Sequence, residues 1–156
     1  MERGVKDGNV GNFGKRLVQQ LVAADSSAVL FSANPITGNR GELVINASWG
    51  LGESIVGGTI TPDTYVLRAA DLTVISQHIA EKHRMTVPVA GGTREVDVPR
   101  FLRPRPALSD DQIVELGRLA VALEAVMGRP VDVECAYAAG CLYLLQCRPI
   151  TGLLRE

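Results

Sequence analysis

Chemistry is concentrated near the end of the chain, in Val131-Asp132-Val133-Glu134-Cys135-Ala136-Tyr137 and Leu142-Tyr143-Leu144-Leu145-Gln146-Cys147-Arg148-Pro149, joined by a short Ala138–Cys141 link. Apolar and polar residues alternate, which predicts two half-buried strands folded as a hairpin. Val131, Val133, Cys135 and Tyr137 then share one face, with Asp132 and Glu134 opposite. On the return strand Tyr143, Leu145 and Cys147 share a face, with Gln146 and Arg148 opposite. If Glu134 faces Gln146, Asp132 faces Arg148, and one surface carries two carboxylates, an amide and a guanidinium. A slip of one residue would scatter them. Carboxylate and amide oxygens are hard ligands suited to Mg²⁺, and arginine binds phosphate in a forked geometry. Alternation by itself leaves two readings open: a metal–phosphate face, or an exposed face with an ordinary cross-strand salt bridge.

The elements that must position this face can be read upstream. Ser109-x-x-Gln112 is a capping box. Ile113, Leu116, Ala120, Leu123 and Met127 recur at helical spacing, and Gly128 and Pro130 mark the stop. The helix so predicted delivers the chain into the hairpin. Ala28–Phe31 and Glu42–Ser48 read as strands around the turn-forming Asn34–Gly41 stretch. Residues 60–98 read as a β meander: Thr64–Leu67, Leu72–Ser76, and a hairpin of Met85–Val89 with Arg94–Val98 around Gly91-Gly92. Arg100–Pro106 is a proline-rich linker. Residues 1–15 form a Gly- and Asn-rich lead with no apolar period, expected to be poorly ordered, with structure beginning near Arg16. The fold class expected is α/β (α+β), with a mixed or antiparallel sheet, one long helix and a C-terminal β-hairpin.

Composition narrows the function classes. At 156 residues, 46% of them hydrophobic, the chain can bury a real core as about one domain. A net charge of −1 gives no general pull toward nucleic acid or an anionic membrane, and no apolar run approaches a membrane span. Two histidines and three cysteines without a CxxC argue against a zinc site. The cysteines all lie in the hairpin, where Cys135 and Cys147 are expected as buried, reduced thiols in a cytoplasmic protein. Gly50-x-Gly52 follows a strand but lacks the Lys-Ser/Thr of a P-loop and the third glycine of a dinucleotide loop, so a structural turn is the better reading. The Lys82-His83-Arg84 cluster reads as solvated surface, with a role in holding phosphate as the alternative.

Longer stretches carry a resemblance. Gln19-Gln20-Leu21-Val22, Val29–Gly38, Glu42-Leu43-Val44-Ile45-Asn46-Ala47-Ser48-Trp49-Gly50-Leu51-Gly52-Glu53, Thr61-Pro62-Asp63, Gly128-Arg129-Pro130-x-Asp132-x-Glu134 and Leu142-Tyr143-x-Leu145-Gln146-x-Arg148-Pro149-Ile150-Thr151 resemble, in order and approximate spacing, the nucleotide-binding domain shared by phosphoenolpyruvate synthases, pyruvate phosphate dikinases and rifampicin phosphotransferases. The resemblance runs from about residue 16 to the end. It implies part of an ATP-grasp fold over residues 16–156, whose two lobes clamp MgATP. Matching positions would place Glu134 and Gln146 as Mg²⁺ ligands at the triphosphate and Arg148 as the catalytic phosphate contact. Gln19 and the backbone around Leu21 would lie by the adenine. ATP in this family phosphorylates a histidine on a separate swivelling domain.

The family's first half brings a lysine, an arginine and a glycine-bearing loop to the phosphates, and residues 1–15 do not resemble it. Neither His78 nor His83 has the setting of a phosphohistidine. Ala28 stands where the family usually has glycine. The expectation is therefore the C-terminal half of an ATP-grasp domain, incomplete alone, with ATP and Mg²⁺ as ligands and either a partner polypeptide or self-association to complete it. The alternatives are a non-catalytic remnant or a regulatory or assembly module of the same fold. A carboxylate–amine ligase is disfavoured by the Gln146-x-Arg148-Pro149 ending.

Overall fold

The computed structural model describes residues 18–151. The expectations for residues 1–15 and for a start at Arg16 lie outside them. The element order is β1 (Ser26–Phe31), β2 (Glu42–Trp49), α1 (Glu53–Val56), β3 (Asp63–Arg68), β4 (Val74–His78), β5 (Arg84–Val89), β6 (Gly92–Asp97), α2 (Asp110–Met127), β7 (Val131–Ala138) and β8 (Cys141–Pro149). Six strands form one antiparallel sheet in the order β4-β3-β2-β1-β7-β8, and β5 pairs with β6 in a separate hairpin. The α/β class, the long helix and the closing hairpin are as the sequence predicts.

The helix forms where its end signals lie. Ser109 Oγ accepts from the Gln112 N–H, the Gln112 side chain accepts from the Ser109 N–H, and Gly128 closes the helix in the left-handed region at φ 67°. Ile113, Leu116 and Ala120 are buried, whereas Leu123 is only partly buried and Met127 is exposed. The helix packs on the face presented by Leu30, Leu43, Ile45, Tyr65, Leu67, Val131, Val133 and Cys135, which form the main core. Gly117 lets it approach: a Cβ there would lie 3.1 Å from both Leu67 and Leu72. Tyr137 ties β7 to the helix by donating its hydroxyl to Glu115 Oε2 at 2.6 Å.

The 99–108 segment is fastened down rather than loose. Trp49 Nε1 donates to the Leu102 carbonyl, the Lys82 N–H donates to the Arg103 carbonyl, and Ala107 and Leu108 enter the core. Its main anchor is Asp63, which is fully buried. The Asp63 carboxylate accepts from the N–H groups of Ala80 and Ala107 and from Lys82 Nζ.

This overturns both sequence readings of Lys82. It is neither solvated surface nor a phosphate contact, because its ammonium is buried against Asp63 and also donates to the Ala80 carbonyl. Exposed Arg84 is held by Glu95 and Asp97, and exposed His83 sits beside Glu81.

Candidate functional site

The hairpin register is the one that gathers the polar side chains. Glu134 pairs with Gln146 and Asp132 with Arg148, so all four project from the face opposite α2. Strand β1 lies beside β7 with Val29 against Glu134 and Phe31 against Asp132, and Val29 in turn faces Asn46 of β2. A cross-strand row of Asn46, Val29, Glu134 and Gln146 therefore runs over three pairings, with an apolar residue between the first amide and the carboxylate.

One expectation for β8 is corrected. A β-bulge at Glu134/Cys135 breaks the alternation. Cys147 and Leu142 pack against the main core, whereas Leu145 turns to the other face and packs with Ala24, Leu51, Ala136 and Val22. Tyr143 pairs with Ala136, which places it on that face too. Tyr143, Leu145 and Cys147 thus do not share a face. The extra residue in one strand changes sides for everything beyond it, and no local sequence signal announces it.

Two cavities flank Glu134. One, of about 200 Å³, is lined by Gln19, Gln20, Leu21, Val22, Ser27, Leu51, Gly52, Glu134 and Leu145 among others. The other, of about 190 Å³, is lined by Val29, Phe31, Asn46, Ile55, Val56, Asp132, Glu134 and Arg148. Gln19, Leu21 and Glu134 are thus brought to one cavity, Arg148 and Glu134 to the next, and Gln146 stands exposed beside Glu134 across the hairpin. The 22–25 segment is held in place by Asp25. Its N–H donates to the Tyr137 carbonyl, its carboxylate accepts from the Ala139 N–H, and its carbonyl accepts from the Gly50 N–H.

Gly50 is a structural residue, as expected. Its φ is 74°, and a Cβ there would sit 2.3 Å from the Thr86 carbonyl oxygen. The Leu51 N–H donates to that same oxygen at 2.8 Å. Gly52 lies in the cavity wall instead.

Electrostatically the site is mixed. Asp132 and Glu134 supply negative charge. Arg148 supplies the positive charge and is bound to Asp132 at 2.9 Å. The Glu134 carboxylate makes no ion pair among the described residues, which leaves its oxygens available to a cation. No group of three or more His, Cys, Asp or Glu side chains able to hold a metal occurs among the described residues. One carboxylate and one amide still suit Mg²⁺, which usually keeps several waters and takes its remaining ligands from substrate phosphates. Behind the site face, burial pushes the Cys135 thiol up to about 12, with help from Cys147 and the Glu134 carboxylate. Burial also raises the Cys147 thiol, with Asp132 contributing. A raised thiol is a protonated one at neutral pH, so neither cysteine offers a thiolate to the site.

Against this geometry, comparison with known proteins is decisive. A family profile described as "Pyruvate phosphate dikinase, AMP/ATP-binding domain" matches residues 16–156. The chain belongs to this family. Among curated relatives, it is similar to a probable phosphoenolpyruvate synthase of Methanocaldococcus jannaschii, at 46% identity over 138 residues, covering 88% of this chain and 12% of that protein. It is 42% identical over 149 residues to the phosphoenolpyruvate synthase of Pyrococcus furiosus, covering 90% of this chain and 18% of the relative. A rifampicin phosphotransferase of Streptomyces sviceus is 39% identical over 138 residues, covering 88% and 16% of the two chains.

The chain therefore spans less than a fifth of the length of each of these relatives. The pyruvate phosphate dikinase-type domain is one for AMP or ATP, so nucleotide is the ligand class of this chain. No helix among the described residues is long and apolar enough to cross a membrane.

Asn46 was not among the residues expected at the site. In the sequence it lies in a strand and within the resembling stretch Glu42–Glu53 without a role of its own, and the order β2-β1-β7-β8 in the sheet carries it to the same cavity as Arg148.

Proposed function

We propose that this chain is the MgATP-binding part of a phosphoenolpyruvate synthase-like phosphotransferase. One observation carries the reading. The hairpin register sets Glu134 beside Gln146 and Arg148 beside Asp132, on the sheet face that also carries the cavity lined by Gln19 and Leu21. In this proposal the adenine lies along Gln19 and Leu21, and the triphosphate runs past Glu134 toward Arg148. Glu134 and Gln146 hold Mg²⁺ between them and the phosphate oxygens. The metal neutralises charge on the phosphates, and Arg148 adds a forked cationic contact at the group being transferred. Catalysis of this kind rests on positioning and charge neutralisation, which a rigid hairpin supplies.

Residues 16–156 would then form one lobe of an ATP-grasp-type clamp. The opposing lobe and the phosphate-accepting histidine would come from polypeptide outside these 156 residues, on the same longer chain, on a partner or, for the lobe, on a second copy. The acceptor beyond the histidine is set by that other polypeptide. Cytoplasmic ATP and Mg²⁺ would meet the needs of the site.

Isothermal titration tests the reading. Heat of MgATP binding is expected, and it should vanish on chelation of Mg²⁺ and fall strongly in Glu134→Ala. Absence of binding even at millimolar nucleotide overturns the proposal. It would favour instead a non-catalytic module, for which the exposed Leu21, Tyr143 and Leu144 beside edge strand β8 supply an apolar surface.

A further inference from the structure

We infer that Asn46 is a phosphate-binding residue, that its side-chain amide donates to a phosphate oxygen of the bound nucleotide, and that Thr64 is the residue that aims it. The inference rests on the MgATP reading above and adds a contact to the same site.

Asn46 sits on β2 and lines the cavity that holds Asp132, Glu134 and Arg148. It shares a cross-strand row with Val29 and Glu134. Two strand spacings put the backbones of Asn46 and Glu134 about 10 Å apart. The floor between them is Val29, and the wall is Ile55 and Val56 of α1. A phosphate group with an attached cation fits between an amide on one side and a carboxylate on the other.

The orientation of the amide is fixed from behind. Thr64 pairs with Asn46 across β3 and β2, and its hydroxyl donates to Asn46 Oδ1 at 3.0 Å. The amide oxygen is therefore engaged, and Nδ2, with two N–H donors, has no hydrogen-bond partner among the described residues. An amide with its acceptor occupied and its donors unpaired in a cleft is suited to an anion.

The cleft has need of such a donor. Asp132 and Glu134 both repel phosphate oxygens, and the Arg148 charge is already shared with Asp132. A neutral donor adds attraction without attracting the carboxylates into a competing ion pair.

The charge logic separates this role from metal ligation through Oδ1. Titration of the full chain with Mg²⁺–tripolyphosphate and with MgATP is the test. Asn46→Ala loses the donor and is expected to bind both about tenfold more weakly. Asn46→Asp replaces the donor by a third carboxylate and should bind more weakly still. Thr64→Val removes the hydroxyl and is expected to weaken binding about threefold, while Thr64→Ser restores it.

Asn46→Asp binding at least as tightly as the unaltered chain overturns the inference, since a metal ligand would tolerate that change. Unchanged affinity in both Asn46→Ala and Thr64→Val overturns it as well, and these two serve where the aspartate variant fails to fold. If the unaltered chain binds neither probe, the MgATP reading falls and takes this inference with it. If it binds and the variants behave otherwise than stated, this inference alone falls.

Discussion

Asp132 grips Arg148 through a single oxygen: Nε and Nη2 of the guanidinium lie 3.0 and 2.9 Å from Asp132 Oδ2. The arginine is held along the hairpin, not buried in it, for its side chain is 60% exposed against 13% for the aspartate. With its arginine this open to water, the pair contributes only about 0–1 kcal/mol to stability. Arg148→Ala should therefore leave the thermal midpoint nearly unchanged while weakening MgATP binding by roughly tenfold or more. Arg148→Lys should recover little, since an ammonium cannot reproduce the fork. Paired thermal melts and titrations check both statements.

Lys82 behaves oppositely. Its side chain and that of Asp63 are both fully buried. Breaking such a pair strands a charge in the interior and costs about 3–5 kcal/mol. Lys82→Met should lower the urea midpoint sharply. Asp63→Ala should cost at least as much, because it also strands the N–H groups of Ala80 and Ala107. Where Lys82→Met remains folded, its MgATP affinity should match that of the unaltered chain, since Lys82 lines neither cavity beside Glu134.

Gly50 admits no side chain. Gly50→Ala would press a methyl group into the Thr86 carbonyl and hold alanine at a left-handed φ, for a cost on the order of 3 kcal/mol. The change should also loosen Leu51, which lines the cavity with Gln19 and Leu21. Chemical denaturation reads the first effect. Nucleotide affinity at a temperature where the variant is folded reads the second.

Stability should fall in alkali. Burial raises the Cys135 thiol from an ordinary value of 9.0 to about 12. Burial raises the Tyr65 and Tyr137 hydroxyls in the same direction. A raised folded-state pKa means that the unfolded chain loses its proton first. The contribution of Cys135 is therefore complete below about pH 9 and is lost progressively as pH climbs toward about 12. Urea midpoints measured from about pH 8 to about pH 11 should decline, and Cys135→Ala should make that decline shallower.

By itself, the sequence determined whatever depends on neighbours along the chain. The capping box at Ser109 and Gln112, the stop at Gly128 and the Asn34 turn are local hydrogen-bond chemistry, and strand alternation from Val131 to Tyr137 is set by a period of two. The facing of Glu134 with Gln146 was also legible, because a short link limits the registers a hairpin can adopt. Tertiary structure alone decided the rest. The bulge at Glu134/Cys135 sends Leu145 and Cys147 to opposite faces, and it shows only in the pairing of β7 with β8. The burial of Lys82 required Asp63, a residue nineteen positions earlier whose strand lies in the main sheet. The approach of Asn46 to the Arg148 cavity required three strand pairings, of β2 with β1, β1 with β7 and β7 with β8. Such contacts join residues far apart in sequence, and which of them form is settled only when the sheet order β4-β3-β2-β1-β7-β8 is assembled and its faces are packed.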